Sequence, residues 1–167
     1  KLSELTELEH LKFPKWKPCL PKEFDSETSI WDEIKKQDLM LHTPYESFDP
    51  VLRMVNESAT DPNVLAIKIT LYRTSGNSPI VKALEVAARN GKQVTVFIEL
   101  KARFDEKQNI EWATRLQNAG VIVIYGIVNL KVHAKMMMIV RKEEDGILRY
   151  VHLSTGNYNE NTAKLYS

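Results

Sequence analysis

Cysteine occurs once in the 167 residues, at Cys19, which excludes an internal disulfide framework and a cysteine-built zinc site and fits a reducing compartment. Long apolar runs are missing as well: no stretch approaches the roughly 18 residues that a membrane-crossing helix needs, and the start does not read as a signal peptide. Charge of one sign is not in excess, with 23 Lys and Arg against 22 Asp and Glu and a net charge of +1. That balance removes any global argument for a nucleic-acid or membrane surface, so a basic patch has to be local. There is no Walker-type glycine loop and no dinucleotide fingerprint. The histidines at 10, 42, 133 and 152 lack helical metal-ligand spacing and paired carboxylates, which argues against a protein-built metal site. What remains is an ordinary folded composition, 43% hydrophobic and 27% charged, with enough chain for one sizeable core.

The first residue is not methionine and the last three are Leu165, Tyr166 and Ser167, so we expect a piece of a longer protein. Residues 1–37 read as the tail of a preceding domain or a linker, broken by Pro14, Pro18 and Pro21, with a short helix over 29–37. From residue 38 to 167 helical and strand patterns alternate. Helical spacing covers 48–59. Strands are expected at 64–72, 94–100, 121–125 and 147–153, and a further one around His133. Ser78 with Pro79 starts a helix that Asn90-Gly91 ends, and Asp105 with Gln108 resembles a capping box for a helix over 106–119, stopped by Gly120. The expected fold class is α/β: a layered domain with a mainly parallel sheet flanked by helices and one antiparallel hairpin turning at 142–146.

The run from Leu130 to Val140 carries the chemistry. Read as a strand, it sends His133 and Lys135 to one face, Cα atoms roughly 6.6 Å apart, and Val132, Ala134, Met136, Met138 and Val140 to a core face. An imidazole beside an ammonium suits a nucleophile next to a cation that steadies an incoming anion such as phosphate. On spacing alone, a histidine satisfied by hydrogen bonds at a strand end, with a solvated lysine, is the reading the pair favours.

In open α/β sheets ligands collect at the carboxyl ends of strands. Those ends carry Arg73, Arg103 and the loop from Ser154 to Asn159. Two guanidinium forks beside Lys135 would make a local anion site, and surface ion pairs such as Arg103 with Asp105 are the plainer alternative. The hydroxyls, Gly156 and the amide of Asn157 can line a phosphate-binding turn, or simply start the next helix.

Five separate motifs, Leu41–Phe48, Leu65–Arg73, Glu99–Glu106, Val132–Lys135 and Ser154–Tyr166, make residues 38–167 resemble the first of the two phospholipase-D-like carboxyl-terminal domains of bacterial-type polyphosphate kinases. The resemblance implies an ATP:polyphosphate phosphotransferase: reversible transfer of the γ-phosphate of ATP to inorganic polyphosphate through a phosphohistidine. His133 matches the phosphorylated position. Arg73 and Arg103 match positions that hold phosphate and magnesium. Tyr166 matches a nucleotide-site tyrosine. A guanidinium cannot ligate Mg²⁺, so both arginines are read as phosphate clamps near a metal borne by the nucleotide, and Lys135 as the group that neutralises phosphate oxygens. The implied cofactor is Mg²⁺ with ATP, and the implied partners are ATP or ADP and polyphosphate, without nucleic acid or a transmembrane segment. The full-length protein is expected to be a homo-oligomer in the cytoplasm, at most peripheral to the inner membrane.

Phospholipase D enzymes proper follow their His-x-Lys, after four intervening residues, with an aspartate where this chain has Val140. That weakens the rival reading, a phosphodiesterase acting through the same histidine. A third is a non-catalytic polyanion-binding module. The second phospholipase-D-like domain and the amino-terminal regions of the resembled kinases are absent from this sequence, so this piece alone is expected to fold with little or no kinase activity.

Overall fold

The structure is a computed structural model that describes residues 6–14, 16–24, 27–72, 74–75, 77–99, 106–127 and 130–166. Its helices are α1 (Ile30–Ile34), α2 (Asp49–Thr60), α3 (Pro79–Arg89) and α4 (Glu106–Asn118), and its strands are β1 (Val64–Leu71), β2 (Gln93–Ile98), β3 (Ile122–Tyr125), β4 (Lys135–Glu143) and β5 (Gly146–Ser154). Short 3₁₀ helices cover Thr6–Leu11 and Thr162–Lys164.

Local chemistry places the α3 and α4 boundaries. The Ser78 hydroxyl accepts the Val81 N–H, and Pro79 occupies the first turn of α3. At the other end Gly91 takes φ +80°, and the N–H groups of Gly91 and Lys92 bond the Ala88 and Ala87 carbonyls. Gly120 at φ +91° does the same for α4, with Val121 N–H on the Leu116 carbonyl. Both are the left-handed closures that glycine allows, and each turns the chain directly into a strand. The expected cap of α4, Asp105, lies outside the described residues.

The five strands form one sheet in the order β3-β2-β1-β4-β5. β1, β2 and β3 pair in parallel, whereas β4 is antiparallel to both β1 and β5. The sheet is therefore mixed, with β4 alone reversed, and β4–β5 is the hairpin expected from 142–146. The crossovers from β1 to β2 and from β2 to β3 run through α3 and α4, which share one core. There Ile67, Ile69, Val96, Ile98, Met137 and Ile139 meet Val55, Val81, Leu84 and Leu116 in a single core. The opposite face leaves Ile122, Ile124, Met136, Val151 and Leu153 at least partly exposed.

Two expectations for the His133 run are corrected. β4 starts at Lys135, so residues 131–134 are an irregular approach to the strand and His133 does not share its alternation. The core face is also the other one: Lys135, Met137 and Ile139 are buried, and Met136 is 40% exposed. Five consecutive apolar residues, 136–140, fit either parity, and only the pairing of Ile69 with Met137 across to β1 selects one.

The core reaches back before residue 38. Ser29 caps α1, its hydroxyl donates to Glu57 of α2 at 2.9 Å, and Ile30 and Trp31 are buried. Trp31 packs on the Tyr150 ring at 5.0 Å and lies under the Arg141 guanidinium. Arg141 in turn bonds Asp61 at 2.7 Å and pairs with Glu143, which also receives Lys35 and the Tyr150 hydroxyl. Burial alone would raise the Glu143 carboxyl, but bonds from Lys35, Arg141 and Tyr150 hold it down at about 2.

Candidate active site

Because β4 is reversed, its first residue lies at the edge of the sheet where β1, β2 and β5 end. Lys135 stands opposite Ser154, the last residue of β5. On the β1 side, the Thr70 hydroxyl donates to the Ala134 carbonyl at 2.7 Å and accepts the Met136 N–H at 3.0 Å. On the β2 side, the buried carboxylate of Glu99 accepts the Val132 N–H at 3.1 Å. The irregular segment 131–134 is thus tied down from two neighbouring strand ends.

His133 is exposed, and its ring meets the Tyr72 ring edge-on, with centroids 5.1 Å apart at 78°. Lys135 is only 5% exposed. Its ammonium donates to the His133 carbonyl at 2.7 Å and lies 2.9 and 3.0 Å from the two ring nitrogens, within donating distance of whichever one carries no proton. Lys135 and Lys131 sit 5.4 and 5.6 Å from the Tyr72 ring centre, so one phenol ring supports two cations. Burial pushes the Lys135 ammonium below the ordinary lysine range. Among the described residues it has no carboxylate partner. A buried cation lacking a paired acid is poised for an anion supplied from outside.

Asn157 and Tyr166 meet elsewhere. Both line a pocket of about 690 Å³ between the 37–43 connection, α2 and β5, together with Ser154, Leu39 and Phe48. The side-chain amide oxygen of Asn157, Oδ1, is buried without a hydrogen-bond partner among the described residues. Neither His133 nor Lys135 lines this pocket, but Ser154, the cross-strand partner of Lys135, forms part of its wall. The other two expected site residues, Arg73 and Arg103, lie outside the described residues; the chain carries them just beyond Tyr72 and Glu99.

His152 packs inward. Its Nδ1 is 2.9 Å from the Tyr158 hydroxyl, and burial pushes it down to about 4. Roles for Tyr72, Lys131, Thr70 and Glu99 were missed in the sequence. The available signal was positional: each of Thr70, Tyr72 and Glu99 is a polar side chain at the carboxyl end of an apolar strand.

Residues 29–167 match the family model described as "Polyphosphate kinase C-terminal domain 1". The chain belongs to the polyphosphate kinase family. It is 56% identical to a polyphosphate kinase of Exiguobacterium sibiricum over 96% of this chain and 22% of that protein. It is 56% identical to one of Halalkalibacterium halodurans over 98% of this chain and 23% of that protein. The chain therefore spans under a quarter of the curated polyphosphate kinases it matches. The crystal structure of the polyphosphate kinase from Porphyromonas gingivalis superposes on 99% of this chain and 28% of its own, with a TM-score of 0.80 and 38% identity. No helix among the described residues of this family member is long and apolar enough to cross a membrane.

Proposed function

We propose that the full-length protein carrying this chain is an ATP:polyphosphate phosphotransferase and that His133 is its phosphoryl carrier. One observation supports this most: an exposed imidazole in hydrogen-bond contact with a buried ammonium that has no carboxylate partner among the described residues. The unprotonated ring nitrogen of His133 attacks the γ-phosphorus. As the N–P bond forms, the bond from phosphorus to the bridging oxygen breaks and ADP leaves with the electron pair. In the second half a terminal polyphosphate oxygen attacks the same phosphorus and the N–P bond breaks, restoring the imidazole. Lys135 turns its N–H bonds from the ring to the equatorial phosphate oxygens, where charge builds.

Arg73 and Arg103 are assigned as phosphate clamps and Lys131 as a guide for the polymeric anion. The nucleotide is assigned to the pocket holding Tyr166 and Asn157, its phosphates running past Ser154 toward Lys135. Mg²⁺ belongs to this proposal as the nucleotide's counter-ion. The oxygen side chains described beside His133, the Glu99 carboxylate and the Thr70 hydroxyl, are engaged by the backbone of residues 132–136, so most of the hard oxygen ligands that Mg²⁺ requires would come from phosphate. The same reading makes the full-length protein a homo-oligomer acting in the cytoplasm.

Full-length protein supplied with γ-labelled ATP and polyphosphate tests the reading. Label entering the polymer in the native protein and not in His133→Ala supports it. Cleavage of a phosphodiester with no transfer from ATP points instead to the phosphodiesterase. Salt-sensitive polyphosphate binding that survives His133→Ala, without turnover, points to the binding module.

A further inference from the structure

We propose that Glu99 is a positioning residue for His133. This inference rests on the phosphohistidine reading above. Residues 131–134 precede β4 and lack its ladder, so their geometry has to be set by side chains from elsewhere. Glu99 supplies such a side chain from the end of β2. Its carboxylate, in a residue only 5% exposed, accepts the Val132 N–H at 3.1 Å, one peptide before the nucleophile.

The acceptor is itself held firmly. The Glu99 N–H donates to the Leu71 carbonyl at 3.1 Å, which fixes Glu99 to the end of β1. Buried Asn109 of α4 donates from one amide nitrogen to both the Glu99 and Tyr72 carbonyls, at 3.1 and 3.2 Å. Tyr72 carries the ring that His133 abuts. One chain of bonds thus joins α4, the ends of β1 and β2, and the peptide that orients the imidazole. Thr70 grips the other side of His133 through Ala134 and Met136, so withdrawing Glu99 leaves a tether on one side only. The ring is then free to swing off Tyr72 and away from Lys135. Misplacing a reacting group by about 1 Å costs on the order of 10²-fold in rate.

The hydrogen bond needs an acceptor at the right reach, whereas a purely electrostatic role needs the charge. Glu99→Gln keeps the reach without the charge, and Glu99→Asp keeps the charge one methylene short. In full-length protein, the rate of phosphohistidine formation is measured in a single turnover of γ-labelled ATP, beside the KM for ATP. Glu99→Gln is expected within about threefold of the native rate, and Glu99→Asp about 10²-fold slower with KM for ATP little changed. Glu99→Asp reacting at the native rate overturns the inference, and so does Glu99→Gln reacting as slowly as Glu99→Asp. Amide exchange in the unsubstituted protein is an independent check, since a Val132 N–H without protection also overturns it. His133→Ala run alongside separates the two levels. If His133→Ala still takes up the label, the phosphohistidine reading fails; if it does not, a native rate in Glu99→Asp removes the positioning role alone.

Discussion

The ammonium of Lys135 lies 2.9 Å from Nδ1 of His133 and 2.7 Å from the same residue's carbonyl oxygen, so the two side chains form one unit. If that unit moves phosphate, removing the cation removes the charge that stabilises the transition state. Lys135→Gln should slow phosphohistidine formation in the full-length protein by about 10²- to 10³-fold. Lys135→Arg should not restore it, because a planar fork cannot replace a compact ammonium folded back on the ring. The rate should also fall as pH rises through a value below the ordinary lysine range, since burial favours the neutral amine. Single-turnover rates across pH check both statements. A Lys135→Gln variant at near-native speed contradicts them.

The two faces of β4 differ in what they bury. Met137 is fully buried, whereas Met136 is 40% exposed on the opposite face. Met137→Ala should therefore cost about 2–5 kcal/mol in denaturant unfolding, and Met136→Ala under about 1 kcal/mol. Equal costs would mean that the pairing of Ile69 with Met137 is out by one residue.

Much of this fold was legible because its signals are local. Ser78 with Pro79, Asn90 with Gly91, and Gly120 each fix a chain direction through their own backbone and side-chain chemistry, and the structure uses all of them. The facing of β4 was not legible, because 136–140 is apolar on both parities and a partner strand some 70 residues away makes the choice. His133 with Lys135 was legible as a pair, but the strand geometry assigned to it was not. Lys135 begins the strand, and the contact forms because its long side chain folds back across an irregular segment. Glu99 and Tyr72 carry only their position at strand ends as a signal, and their roles arise when β1 and β2 end beside the start of β4. The α1 attachment through Trp31, Arg141 and Glu143 is hidden in the same way, since it joins residues more than 100 positions apart.

Arg141 lies between two carboxylates, Asp61 and Glu143, with all three side chains largely buried. Arg141→Met should destabilise the protein by about 3–5 kcal/mol, because it takes the guanidinium from buried Asp61 and leaves Glu143 paired with Lys35. Lys36→Ala removes a pair whose lysine is 64% exposed and should cost no more than about 0.5 kcal/mol. Urea unfolding of both variants gives the comparison, and similar midpoints would contradict the network.

Stability should fall with acid in two windows. His152 is pushed from 6.5 to about 4 by burial, so the unfolded chain binds more protons than the folded one between those values. Its contribution is complete above pH 6.5 and declines as pH drops toward 4, by about 3 kcal/mol in all at roughly 1.4 kcal/mol per pH unit. Glu143, held from 4.5 down to about 2, adds stability above pH 4.5 that is lost as pH falls toward 2. Unfolding followed between pH 7 and pH 4 should show the first window, and His152→Gln should flatten it. An unchanged slope in that variant would assign the window to other groups.

The central claim is that phosphate resides for a time on the imidazole at position 133. Full-length protein is mixed with γ-labelled ATP, quenched within one turnover at alkaline pH, digested and mapped. The expected result is an acid-labile phosphate on His133 that returns to ATP when excess ADP is added before the quench. Polymer growing at full rate with no label on His133, or label mapping to a different residue, would contradict it.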